Sequence, residues 1–268
     1  MNNIAPGRHV LITIQWLVLA AALCNASCGS NEVKATSDVP APSTGHFDSL
    51  ERVREARRKK SDSLQLAWLD EAYANQKSKD SYGIFQFLHD TLPAKLFELH
   101  QLRHLSINQT YIRELPPAIC NLKELVTLDI ASNKISDFSH VTCLRNLVEL
   151  KVWRNKITAL PPNLDKLSQL NTFDLSMNDF SKGLSNKLPP SVVELYLREC
   201  DLKELPMEVL ALENLRMLDI SRNHGIVIND NIQKLKNLQR LRITQTELSY
   251  SRIVQLKQLL PDCYIEHD

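Results

Sequence analysis

The chain has 268 residues, 43% of them hydrophobic, enough to bury a sizeable core in one large domain or one domain plus a tail. Its 32 basic and 31 acidic residues nearly cancel, which excludes a global field for nucleic acid or an anionic membrane surface; a charged partner has to be met by a local patch. Six glycines and 6% aromatic residues speak against a cofactor-rich enzyme, and no cofactor is expected.

The first predicted element is a leader. Arg8 and the amino terminus precede VLITIQWLVLAAAL, Val10 to Leu23, an uncharged run of 14 residues. Spanning a bilayer takes about 20. Small residues and cysteine follow in CNASCGSN. A positive start, a short apolar run and a small-residue exit describe a cleaved export signal over residues 1–28. Ala26–Ser27 before Cys28 resembles the bacterial lipobox, which implies that Cys28 becomes a lipidated first residue holding the protein to a membrane. Asn25 stands where that pattern has an aliphatic residue, and a plain cut after Ala26 is the alternative. Residues 29–46, rich in Ser, Thr, Pro and Ala without periodicity, suit a disordered tether.

Residues 47–80 predict a helical N-terminal cap. The stretch from Phe47 to Gln76 is helix-prone, with Leu64, Trp68 and Tyr73 available to cover the open end of a core. Its basic run, Arg52 to Lys60, suits either a lipid headgroup surface or a solvated helix face.

From residue 81 to 248 the chain repeats. Segments starting at Leu102, Leu125, Leu147, Leu170, Val192, Leu215 and Leu238 lie 22 or 23 residues apart and share L-x-x-L-x-L-x-x-N-x-L. Positions 4 and 6 alternate around a solvent-facing position 5, which predicts a short strand with one buried face. One such unit cannot bury its apolar face alone, so units stack and their strands pair in parallel. Position 9 turns the chain inward, where the amides of Asn133, Asn155, Asn178 and Asn223 can bond backbone groups freed at the strand end. Thr110, Cys200 and Thr246 take the same place. The return legs share Leu-Pro, as in ELPPAIC from Glu114 and ALPPNL from Ala159, where proline favours an extended or turn entry.

These residues resemble the leucine-rich repeat family. The 23-residue Leu-Pro form is similar to the intracellular Ras-group class and to many bacterial exported repeat proteins. The resemblance implies an α/β solenoid with a curved parallel sheet on the concave face, short 3₁₀ or extended segments on the convex face, and helical caps at both ends. Two repeats depart from the pattern. Gly183 stands at one return position, which predicts a bulge; Gly225 replaces an aliphatic residue, leaving Ile226 or Ile228 to take over. Residues 249–268 predict the C-terminal cap: Ile253, Leu256 and Leu260 share one helix face, which stops at Pro261 before a short strand. This ending resembles the terminal caps of bacterial exported relatives.

No CxxC or metal-spaced His/Cys set is present, and no metal is expected. Cys120 and Cys143 occupy near-equivalent places in adjacent repeats; a disulfide and two buried free thiols both fit.

The exposed strand positions form a grid on the concave side. Position 5 reads Ser106, Asp129, Lys151, Asp174, Tyr196, Asp219, Arg242, partly a self-neutralising ladder. At position 7, Trp153 is flanked by small Ala131 and Ser176. Trp, Tyr and Arg are the types that dominate binding energy. Trp153, Arg154, Tyr196, Arg198, Lys151 and Arg222 are therefore the candidate partner-binding residues. The competing arrangement stacks Trp153 flat on Arg154 or Arg198. Asn108-Gln109-Thr110 matches an N-glycosylation acceptor on the edge of the same face.

No nucleotide-binding glycine loop, HExxH or GxSxG is present, and Cys263 with His267 fits a cap better than a nucleophile. The expected product is a monomeric, non-enzymatic module. It is exported to the cell envelope or outer membrane, or secreted, and binds a protein or peptide on its concave face. The alternatives are a cytoplasmic scaffold or regulator of signalling, and an accessory part of an enzyme resembling bacterial leucine-rich repeat ubiquitin ligases.

Overall fold

The computed structural model describes residues 80–85 and 90–268, preceded by residues 52, 53, 55, 56, 59, 60, 62–67, 69 and 70. All fall in one compact unit, Glu51–Asp268. The leader, Cys28, the tether, Trp68 and Tyr73 lie outside the described residues.

Among the described residues, nine parallel strands follow one another in chain order within a single sheet. They are β1 (Ser81–Phe85), β2 (His104–Asn108), β3 (Thr127–Asp129), β4 (Glu149–Lys151), β5 (Thr172–Asp174), β6 (Glu194–Tyr196), β7 (Met217–Asp219), β8 (Arg240–Arg242) and β9 (Tyr264–Glu266). The register pairs equivalent repeat positions throughout, for example Leu128 with Leu150 and Leu195 with Leu218. Because side chains alternate along a strand, this register stacks position 4 of every repeat into one buried column. Leu105, Leu128, Leu150, Phe173, Leu195, Leu218 and Leu241 are all at most 1% exposed.

The asparagines at position 9 close each strand. Asn223 Nδ2 donates to the carbonyls of Leu197 and Ile220, both at 2.8 Å, while its Oδ1 accepts from Cys200 N at 2.9 Å and Leu202 N at 3.1 Å. Asn178 donates to Val152 O and Leu175 O and accepts from Ile157 N. Asn133 and Asn155 repeat the arrangement. Each amide thus serves backbone groups of its own repeat and of the preceding one. Thr246 reproduces one of these bonds, to Ile243 O at 2.7 Å.

Immediately before this position the backbone is left-handed. Gln109, Ser132, Arg154, Met177, Glu199, Arg222 and Gln245, all at position 8, have φ between 54° and 58°. For residues with a Cβ this conformation costs about 1–2 kcal/mol each. The same conformation occurs whether position 9 is Asn, Thr or Cys, and in five of the seven the position-8 N–H bonds the position-7 carbonyl of the next repeat.

The convex side carries 3₁₀ turns at Ala94–Glu98, Pro117–Asn121, Ser139–Cys143, Leu164–Lys166 and Asp230–Lys234, and one helical turn, α1 (Met207–Leu210). Pro116 and Pro206 stand at the entries to two of them, as the Leu-Pro spacing predicts. The repeat holding Gly183 crosses without a helical turn and buries Leu184 and Leu188 instead. Around Gly225 both Ile226 and Ile228 are buried, each 2% exposed. Cys120 and Cys143 form a disulfide joining two adjacent turns, with a Cα–Cα distance of 5.5 Å.

Both ends are capped. At the C-terminus, α2 (Tyr250–Leu259) starts at Ser249, whose hydroxyl accepts from Arg252 N, and buries Ile253 and Leu256; β9 then closes the sheet. At the N-terminus the described residues between 52 and 70 are helical, and Tyr82 Oη donates to Gln65 O at 2.9 Å. Here the structure corrects the expected plug. Leu64 is 50% exposed, whereas Leu69, at 2%, enters the core.

Asn223 has no exposed surface, and removing its amide strands four backbone groups. Asn223→Ala is expected to lower stability by about 3 kcal/mol. A urea denaturation series checks this, and a loss below about 1 kcal/mol would contradict the role assigned to the amide.

Candidate functional site

On the concave side the register sets position 5 of nine strands in one row: Gly83, Ser106, Asp129, Lys151, Asp174, Tyr196, Asp219, Arg242 and Glu266. Position 7 runs parallel to it, and backbone bonds continue the ladder that far, as in Ser132 N to Trp153 O at 2.9 Å.

Every second repeat carries aspartate at position 5 and a small residue at position 7. In each of these the carboxylate folds along its own strand. Asp129 Oδ1 accepts from Ala131 N at 3.1 Å, Asp174 Oδ1 from Ser176 N at 3.0 Å, and Asp219 Oδ1 from Ser221 N at 3.0 Å. The folded carboxylate leaves little room at position 7, and Ala131, Ser176 and Ser221 are buried there. The intervening repeats carry Lys151 with Trp153, and Tyr196 with Arg198. The face therefore alternates between low acidic furrows and raised aromatic or cationic ridges. The ridges on β4 and β6 stand two strand spacings apart, about 9–10 Å, across the furrow of Asp174 and Ser176.

Charges on this face are unevenly paired. Arg242 bridges Asp219 at 3.2 Å and Glu266 at 3.1 Å, closing the ladder at the C-terminal end. Lys151 turns to Glu149 in its own strand, at 2.5 Å, and not to the aspartates on either side. Burial alone would lower the Lys151 pKa, but Glu149, with Asp129 and Asp174 adding to it, holds the ammonium above its ordinary range. Asp129 Oδ2 accepts from Asn108 at 3.1 Å. Asp174 has no basic group within bonding distance among the described residues. Its burial raises the carboxyl pKa, against the opposing bonds from Ser176 and the more distant Lys151. Tyr196 is pushed up to about 12, by burial first and then by Glu194, whose carboxylate its hydroxyl meets at 3.2 Å.

Of the six residues the sequence singled out, Lys151, Trp153, Tyr196 and Arg198 surround this furrow. Arg154 and Arg222 stand at left-handed position 8, exposed beyond the strand ends, and Arg222 reaches Glu199 at 3.4 Å. Trp153 is half-buried, yet it is not among the partly buried apolar side chains that pack on the core. Nor does it stack on an arginine: among the described residues the cations over rings are Lys134 on Tyr111 at 4.3 Å and Arg240 on Tyr264 at 5.9 Å. The N-glycosylation acceptor is absorbed by the fold. Asn108 donates to Ser106 and Asp129, and the Thr110 hydroxyl to Asn133 at 2.7 Å.

Among the described residues no group of three His, Cys, Asp or Glu side chains is placed to hold a metal ion. Burial pushes the Cys263 thiol up to about 11, and the His267 ring nitrogens meet Lys257 and the Asp268 carbonyl. A thiol so raised is a poor nucleophile.

Stacked parallel strands, inward asparagines and Leu-Pro return legs define a leucine-rich repeat solenoid. Residues 86–188 match the family described as leucine-rich repeat region, and the chain is similar to that family there. Two internalins of Listeria monocytogenes are similar in fold. Internalin inlF is 18% identical, with a TM-score of 0.50 over 73% of this chain and 62% of that one. Internalin C2 is 19% identical, with a TM-score of 0.50 over 65% of this chain and 73% of that one. A candidate disease resistance protein of Arabidopsis thaliana, RPP13-like protein 3, is 41% identical over 63 residues, 22% of this chain. The matched stretch spans only 7% of that protein's length.

Asp174 supplies a pH test. Its folded-state pKa is raised, so the folded protein binds the proton more readily than the unfolded chain, and stability from this group falls as pH rises through the carboxyl range. Asp174→Asn keeps the acceptor for Ser176 N and removes the charge. The expected result is a thermal midpoint at or above wild type at pH 7, with the difference gone by about pH 3. A variant less stable at pH 7 than at pH 3, each relative to wild type, would contradict the assignment.

Proposed function

We propose that the chain is a non-enzymatic, exported leucine-rich repeat module that holds a protein or peptide against its concave sheet. The observation that carries this reading is Trp153. Its ring lies at the wall of the furrow, without packing on the core or pairing with a neighbouring cation. A large ring half-buried there, outside the core cluster, suits an anchor for another molecule. A continuous face of parallel strands is also what stacked repeats provide for binding. Fold alone does not assign function, and the reading rests on these side chains.

Export is supported by the leader sequence and by the disulfide, since such bonds persist in oxidising compartments. In this reading residues 1–28 direct export and residues 29–46 tether the unit. Residues 47–80 and 249–268 cap repeats 81–248, Cys28 carries a lipid, and the protein works as a monomer at the cell envelope.

A photo-crosslinking residue in place of Trp153, in the full chain exported by a bacterial host, is expected to trap a protein adduct. The same residue in place of Lys166, exposed on the convex side, is expected to trap none. Equal adducts from both sites, or none from Trp153, would overturn concave docking. For the anchor, a labelled fatty acid is expected to enter the wild type and not Cys28→Ser. An unlabelled, uncleaved wild-type precursor would place the protein inside the cell.

A further inference from the structure

We infer that the furrow over Asp174 receives the lysine or arginine side chain of an extended protein segment, its cation lying on the carboxylate between Trp153 and Tyr196. This rests on the concave face being the docking surface. It adds what kind of side chain that surface selects.

The charge distribution carries the argument. At positions 3 and 5 of β3 to β7 stand five carboxylates, Asp129, Glu149, Asp174, Glu194 and Asp219, against one ammonium, Lys151. Most have internal partners: Glu149 has Lys151, Asp219 has Arg242, Asp129 has the Asn108 amide, and Glu194 has the Tyr196 hydroxyl. Asp174 is bonded to Ser176 alone, and burial makes its charge costly. A carboxylate removed from water without a counter-ion gains more from an incoming cation than a solvated one does.

The surroundings suit a cation of this kind. Ser176, 9% exposed, keeps the furrow low beside Asp174. Trp153 and Tyr196 occupy opposite corners, one strand away on either side. A cation over the centre lies, in the plane of the sheet, about 6 Å from the backbone bearing each ring, close enough for a ring leaning into the furrow to offer it a face. Beyond the furrow, on the strand-exit side, the Arg154 and Arg198 side chains form no ion pair among the described residues. The segment that suits the whole face therefore carries a basic side chain for the furrow and an acidic one for this lip.

The test is selection of random heptapeptides displayed on phage against the folded protein, followed by affinity measurement on synthetic copies of those enriched. Wild type is expected to enrich peptides sharing one Lys or Arg position. Asp174→Asn should weaken them about tenfold or more, and Asp129→Asn by no more than about threefold. Replacing the peptide's basic residue by an uncharged isostere should weaken binding to wild type equally. It should cost nothing further in Asp174→Asn, so that the double-mutant cycle closes on this pair. Peptides weakened by Trp153→Ala but indifferent to Asp174→Asn would overturn the basic-residue inference and leave concave docking standing. Peptides indifferent to Trp153→Ala, or no enrichment, would overturn both. Because the Asn variant retains the Ser176 bond and is expected to melt no lower than wild type at neutral pH, lost binding cannot be attributed to unfolding.

Discussion

The structure depends on one recurrent interaction: an inward side-chain amide that satisfies the backbone of two neighbouring repeats at once. Each strand here is short, and where it ends the chain must turn away from the sheet inside a nearly dry interior. Backbone groups left unpaired there would each cost a sizeable share of the stability a small unit possesses. Asparagine supplies two donors and an acceptor in a fixed fork, and the four at position 9 use both ends. The residue before position 9 is left-handed in every one of these repeats, whether that position holds Asn, Thr or Cys. The register that pairs equivalent positions of successive repeats keeps that fork in the same place along the sheet.

A fixed register has a consequence for the surface. Once every repeat presents position 5 and position 7 at the same height, differences between repeats become topography. Aspartates that fold along their own strands make furrows; lysine, tyrosine, tryptophan and arginine in the intervening repeats make ridges. The alternation is built from local hydrogen bonds, so it needs no ligand to form. It does retain a carboxylate at Asp174 whose burial opposes its charge. In the proposed reading, that charge and the half-buried Trp153, which stands outside the core cluster, are what connect the scaffold to recognition.

Much of this was legible in the sequence. The leucine period fixed the strands, the asparagines marked the strand ends, and Leu-Pro marked short convex turns; each rests on a local rule that packing reinforces. Other features depend on distances between residues remote in the chain. Cys120 and Cys143 gave no sign of which state they adopt until the turns carrying them were adjacent. Leu64 and Leu69 are equally apolar, and only the docking of the helix chooses Leu69. Lys151 pairs with Glu149 because the side chains of Asp129 and Asp174 are bent toward position 7, a preference visible only as a small residue two places on. Position 8 carries Gln, Ser, Arg, Met and Glu, none of which signals a left-handed turn.

Amide hydrogen exchange on the wild-type protein, resolved by residue, examines the shared-amide arrangement most directly. The N–H groups of Ile135, Ile157, Cys200 and Leu202, which donate to the asparagine oxygens, should exchange as slowly as those inside β4 and β6 and open with them in one cooperative unit. Exchange at these sites as fast as in an exposed loop, while the strands stay protected, would mean that the amides do not bind the repeats together.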